Sequence, residues 1–138
     1  MIGYVTLGTD DLDKARAFYA PLFEHMGLPL CFEDPQVVSW GDKDDETVPR
    51  FFVCYPFDDR PASTGNGTMT AFRVKTASDV DTLYETAMRG GGSDEGKPGF
   101  RPESYGDKFY VAYVRDLDGN KLAFACYDGK ENPHNSEG

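Results

Sequence analysis

The sequence predicts an α+β fold made of two βαβββ modules, and three observations lead there. The chain repeats itself weakly: with Tyr4 set against Met69, Leu7 meets Phe72, Ala15 meets Val80, Phe18 meets Leu83, Tyr19 meets Tyr84, Leu22 meets Ala87 and Phe23 meets Met88. Each half opens with a period-two stretch followed by a period-3.6 apolar stripe in the same phase, the pattern of a strand leading into an amphipathic helix. Near the end, Asp118-Gly119 separates two alternating apolar runs and marks a hairpin turn.

The first strand is expected over about 2–8, where Val5 and Leu7 alternate with Tyr4 and Thr6. Asp10 or Asp11 caps the following helix, and Asp13 adds negative charge to its first turn. The helix stripe is Leu12, Ala15, Phe18, Tyr19, Leu22, Phe23 and Met26, and Gly27 closes it. Pro21 lies inside the stripe and should kink or break the helix, because it removes one backbone bond. Three short strands are expected near 29–33, 36–41 and 50–56, and PFDDRPASTGNGT then reads as a connecting loop. The second half restarts at Met69. Thr76 or Ser78 caps a helix carrying Val80, Leu83, Tyr84, Ala87 and Met88, which ends at Gly90–Gly92. EGKPGFRPESYGD reads as a loop, and two strands follow near 108–115 and 120–127. The expected organisation is one domain over 1–138: module 1 at 1–57, a linker at 58–66, module 2 at 67–128 and a frayed tail at 129–138.

A chain of 138 residues with ten Phe and eight Tyr has enough apolar surface for one real core. No stretch approaches the roughly 20 apolar residues of a membrane span. Asp10, Asp11 and Asp13 interrupt any leader-like apolar run, so the expected compartment is the cytoplasm. The net charge of −10 repels phosphate backbones and argues against nucleic acid as a partner. Three widely spaced cysteines, Cys31, Cys54 and Cys126, fit neither a disulfide framework nor a zinc knuckle and read as small buried hydrophobes.

Two segments, MIGYVTLGTDDLDKARAFY and YVAYVRDLDGNKLAFACY, are similar to the vicinal-oxygen-chelate superfamily of glyoxalase I, extradiol dioxygenases, and fosfomycin and bleomycin resistance proteins. DLDGNKLAF resembles the family's D-P-D-G-N-x-[IL]-E, with Leu117 in place of proline and Ala123 in place of glutamate. FYAPLFEHMGLP and GNGTMTAFRV resemble a bacterial glyoxalase-like branch. The resemblance implies a half-open, cup-shaped barrel of eight strands with the helices outside. It also implies that the positions holding His, His and Glu in metal-using members are here Tyr4, Met69 and Ala123.

Alternation sorts the side chains of such a cup. Tyr4 and Thr6 should face inward, as should Met69, Ala71 and Arg73, and Ala123 and Ala125. Matching FFVCY to AFACY turns Phe51, Val53 and Tyr55 inward and Cys54 toward the helix, although a one-residue slip would exchange these sets. Tyr113 joins them by family resemblance. The expected ligand-binding set is therefore Tyr4, Phe51, Val53, Tyr55, Met69, Arg73, Tyr113 and Ala123. Arg73 is its polar anchor, suited to a carboxylate, and the alanines leave room.

Phenol, thioether and methyl groups do not make the site that a zinc- or iron-type cation wants, so neither metal nor cofactor is expected. His25, at a helix end, and His134, in the tail, offer no nucleophile–base pair. Arg101, in a loop, is either solvated or closes over an anion. The Asp42–Glu46 acids lack calcium-loop spacing and read as a charged hairpin tip. The favoured function is a metal-independent protein that binds a small, partly apolar or aromatic molecule and pairs as a homodimer. The alternatives are a glyoxalase-like lyase, isomerase or dioxygenase with altered residues, and a non-catalytic scaffold.

Overall fold

The computed structural model of the chain describes residues 1–101 and 106–129. The elements run β1 (Tyr4–Gly8), α1 (Leu12–Met26), β2 (Leu30–Glu33), β3 (Val37–Trp40), β4 (Arg50–Cys54), β5 (Thr70–Arg73), α2 (Ala77–Arg89), β6 (Ser93–Phe100), β7 (Tyr110–Arg115) and β8 (Lys121–Cys126). This is βαβββ twice, in the α+β class the sequence predicts. The strands form two four-stranded sheets that do not close, sheet 1 in the order β1-β4-β3-β2 and sheet 2 in the order β5-β8-β7-β6. In each sheet the first strand of the module pairs in parallel with the last, which leaves β1 and β5 as edges.

Both helices begin on the caps their sequences offer. The Asp11 carboxylate accepts from the Lys14 amide, and Thr76 and Asp79 form a reciprocal capping box. Gly27 ends α1 at φ 74°, a left-handed conformation suited to glycine. The helix runs unbroken through Pro21. Pro21 and Ala17, whose carbonyl loses its partner, both lie on the exposed side, where water can take the freed acceptor.

The helix stripes and one face of each sheet merge into a single core. Leu12, Phe18, Leu22 and Phe23 of α1 meet Val80, Leu83 and Ala87 of α2, Val53 of β4, and Leu122 and Phe124 of β8. Phe72 joins the modules, its ring 5.6 Å from Phe23 and 5.2 Å from Phe51. Gly90 and Gly92 let Phe18 approach, since a Cβ on either would lie 3.3 or 3.1 Å from its ring. Burial of such rings, not any single bond, is the main force holding the halves together.

The DLDGN segment acts as a latch between modules. Asp116, 6% exposed, accepts at Oδ1 from the amides of Asp118 and Asn120, and at Oδ2 from the Tyr19 hydroxyl at 2.5 Å and the Asn120 side chain at 2.9 Å. The same Asn120 amide donates to the Gly8 carbonyl, and Asp118 accepts from the Asp10 amide. The hairpin's polar residues thus tie β8 to the β1–α1 turn.

Two expectations about strands need correction. EGKPGF, read as loop, belongs to β6. Its register shifts twice against β7, between Asp94 and Gly96 and between Gly96 and Gly99, and these irregularities accommodate Pro98 and the glycines. β4 ends at Cys54, so Tyr55 lies outside it. Among the described residues no helix is long and apolar enough to cross a membrane.

Candidate functional site

Each sheet buries one face against the helices and turns the other, its outer face, away from the core. In sheet 1, Val5 and Leu7 of β1 stand opposite Phe51 and Val53 of β4, and all four pack into the helix-side core. The outer face therefore carries Tyr4 and Thr6 with Phe52 and Cys54, and Tyr4 and Phe52 meet edge to face at 5.4 Å. Phe51 and Val53, 4% and 0% exposed, do not line the outer face as the sequence suggested. Nor does Tyr55, which packs on the core and accepts from the Leu12 amide through its hydroxyl. The cause is a one-residue slip. The pairs Thr6–Phe52 and Ala71–Ala123 make Phe52, not Phe51, the counterpart of Ala123. The shared ending Cys-Tyr in FFVCY and AFACY suggested the other register. Cys54 accordingly sits on the outer side, half-buried, whereas Cys126 is buried.

In sheet 2, Arg73, Ala125 and Val111 form one cross-strand row, and Ala71, Ala123 and Tyr113 the next. Ala123 and Ala125 are only 1% and 2% exposed, because the rings of Phe109 and Tyr113 pack against them. The room that the alanines leave is thus taken by aromatic rings. Cations lie over two of the aromatic rings of this face, Tyr113 and Tyr127. The Arg73 guanidinium is 4.6 Å from the centre of Tyr127, and Arg101 and Lys121 are each 5.3 Å from Tyr113. Among the described residues no carboxylate pairs with Arg73, Arg101 or Lys121. Arg101 also donates to the carbonyls of Lys97 and Gly99, which folds it back over β6. Lys121 escaped notice in the sequence, although alternation places it in phase with Ala123 and Ala125.

The three residues that the resemblance sets at metal-ligand positions, Tyr4, Met69 and Ala123, offer little to a cation. Tyr4 and Met69 are 66% and 45% exposed, and Ala123 is a buried methyl with no donor atom. Their chemistry does not fit a zinc- or iron-type site. Among the described residues no three His, Cys, Asp or Glu side chains stand close enough to share an ion. His25 links the helices instead, 2.9 Å from Asp79. Burial opposes ionisation of Asp79, but hydrogen bonds from Thr76 and His25 together hold its carboxyl below the ordinary value. His134 lies outside the described residues.

An apolar cleft of about 210 Å³ opens between the modules on the helix side, lined by Phe23, Trp40, Phe51 and Phe72 with Ala71 and Arg50. Phe51 thus meets a cavity, on the face opposite the one anticipated. Arg50 is engaged with the Asp42 carbonyl at 3.3 Å.

Residues 1–124 match the family model of the glyoxalase/bleomycin resistance protein/dioxygenase superfamily. The fold is similar to that of a glyoxalase/bleomycin resistance protein from Albidiferax ferrireducens T118, at 28% identity and a TM-score of 0.81, covering 91% of this chain and 98% of that one. A glyoxalase-related enzyme from Fulvimarina pelagi shares the fold at 22% identity and a TM-score of 0.69, over 94% and 95% of the two chains. Lactoylglutathione lyase from Agrobacterium tumefaciens does so at 22% and 0.64, over 91% and 92%. Among curated proteins none matches. The matched region covers most of the chain, and the paired βαβββ modules agree with it: the chain belongs to the glyoxalase/bleomycin resistance protein/dioxygenase superfamily.

Proposed function

We propose that the chain binds a small, partly apolar or aromatic molecule without a metal, on the outer face of sheet 2, and that a second copy closes the site. The observation that carries this is Arg73, a guanidinium held over the Tyr127 ring with no carboxylate partner among the described residues. Tyr113, Tyr127 and Phe109 offer ring faces beside it, and Tyr127 packs on Phe109 at 5.2 Å. A flat apolar body stacks on such rings, and a carboxylate accepts two parallel bonds from the guanidinium. The donor-poor trio Tyr4, Met69 and Ala123 supports a metal-independent mode.

Pairing of two copies has separate support. β1 and β5 present free edges, and Tyr4 and Met69 leave apolar surface exposed beside them. Light scattering should give twice the 15.3 kDa chain mass. A monomer at every concentration would reject the closing copy.

The test of the ligand is native mass spectrometry of protein taken directly from cells, with thermal shift across aromatic carboxylates. A retained small molecule, or stabilisation by members of the series, is expected. Neither appearing would overturn the binding function.

A further inference from the structure

We infer a second site: an oxyanion pocket between the Thr64–Thr68 turn and the β7–β8 hairpin. A cavity of about 420 Å³ lies there, lined by the turn, Met69, Arg115 and Lys121. Among the described residues no Asp or Glu lines it, in a chain that carries 24 of them. Its groups are mostly donors in need of an acceptor. The amides of Gly65, Asn66 and Gly67 have no hydrogen-bond partner among the described residues, and neither do the side chains of Thr64, Asn66 and Thr68. Among the described residues the Lys121 ammonium has only the Tyr113 ring.

The two cations are direct cross-strand neighbours. Like charges placed opposite one another destabilise a sheet unless something anionic joins them. Glu95 answers only part of this. It accepts from Arg115 Nε at 2.5 Å while Nη1 donates to the Gly119 carbonyl at 2.7 Å, which leaves the other terminal nitrogen of the guanidinium without a partner among the described residues. The turn itself is tightly formed. A Cβ on Gly65 would lie 2.3 Å from the Thr68 hydroxyl, and Gly67 holds φ +95° with open space around it. One on Gly119 would lie 3.4 Å from the Thr64 methyl, so the turn packs on the hairpin.

Backbone amides at a glycine turn, hydroxyls and two cations together match an acceptor-only group with several oxygens, a phosphate or a carboxylate. The pocket stands on its own donors and does not depend on the outer-face reading. It adjoins that face through Lys121, which touches Tyr113 on one side and lines the pocket on the other. The anion is therefore either free or the charged end of a molecule lying on sheet 2.

Calorimetric titration with inorganic phosphate and with phenyl phosphate, at low ionic strength, tests the site and its source. Both should bind the wild-type protein. Lys121→Gln keeps most of the side-chain stem and should weaken both at least about tenfold, the scale of one charge-assisted bond. Glu95→Gln, which frees Arg115 from its carboxylate, should tighten both about threefold. Near-UV circular dichroism checks that each variant stays folded. Phenyl phosphate binding more tightly than phosphate supports a charged end anchored here. Equal affinities assign the pocket to free anions and count against an extension onto sheet 2. No binding of either anion, or a Lys121→Gln protein that binds like wild type, overturns the site.

Discussion

Tyr19→Phe removes one hydroxyl from the latch and little else. Tyr19 and Asp116 are 1% and 6% exposed, and the hydroxyl donates to Asp116 Oδ2 at 2.5 Å. The phenylalanine ring keeps its contacts with Phe18, Phe23, Trp40 and Phe51, so no large cavity opens. Asp116 keeps three donors, from the Asp118 and Asn120 amides and the Asn120 side chain. The loss is then one hydrogen bond to a charged acceptor, about 2 kcal/mol, or roughly 6–9 °C in melting temperature for a domain of this size. Trp40 is the only tryptophan, 3% exposed and stacked on Phe23 at 4.9 Å. Its fluorescence in a urea titration reports the loss of core packing directly. The expected result is a lower midpoint with an unchanged slope. Asp116→Asn should cost as much or more, since it removes the charge shared by all four donors. A Tyr19→Phe midpoint within error of wild type would refute the latch.

Alkaline pH should loosen the fold through two tyrosines. Burial and then Asp116 hold the Tyr19 hydroxyl well above its ordinary range, and burial and then Asp81 push Tyr110 up to about 12. A group whose pKa rises on folding contributes fully below its unfolded value, about 10, and loses that contribution as pH climbs toward the folded value. Urea midpoints should stay level up to about pH 10 and then fall, less steeply in Tyr110→Phe; a fall of the same steepness in that variant would exclude its part. Gly96→Ala should cost about 1–3 kcal/mol by overpacking, because its Cβ would lie 2.8 Å from the Tyr113 ring and 3.2 Å from Arg101; a wild-type melting temperature would contradict it. Thr76→Ala removes the hydroxyl that caps Asp79 at 3.0 Å and should cost about 1 kcal/mol in the same urea assay.

The modules and helices were legible because their signals are local and repeated. The stripes Ala15, Phe18, Leu22 and Val80, Leu83, Ala87 are buried in both helices, and the caps at Asp11 and Thr76 stand at their starts. β6 was hidden because Gly96, Pro98 and Gly99 read as turn residues. Only the neighbouring Tyr113 and Arg101, which occupy the space a Cβ at Gly96 would need, show why glycine suits that strand. The β4 register failed for a similar reason. Alternation gives two faces but not which is which, and the pairing of Thr6 with Phe52 is a tertiary fact. At the candidate site, Arg73 and Tyr113 were readable from phase and resemblance, while the rings filling the alanine floor were not. The Thr64–Thr68 segment reads as plain loop in the sequence, since its pocket depends on Arg115 and Lys121 arriving from the far end of the chain.

The central claim is that an organic anion is held by Arg73 with no metal. Calorimetric titration of 2-naphthoate, a flat aromatic carboxylate, into protein dialysed against chelator, with elemental analysis of the same sample, tests it most directly. Affinity should be the same before and after chelation, and should weaken at least tenfold, about 1.4 kcal/mol, in Arg73→Ala. Binding that disappears with the chelator and returns with zinc or iron would contradict it, as would an Arg73→Ala protein that binds 2-naphthoate as well as wild type.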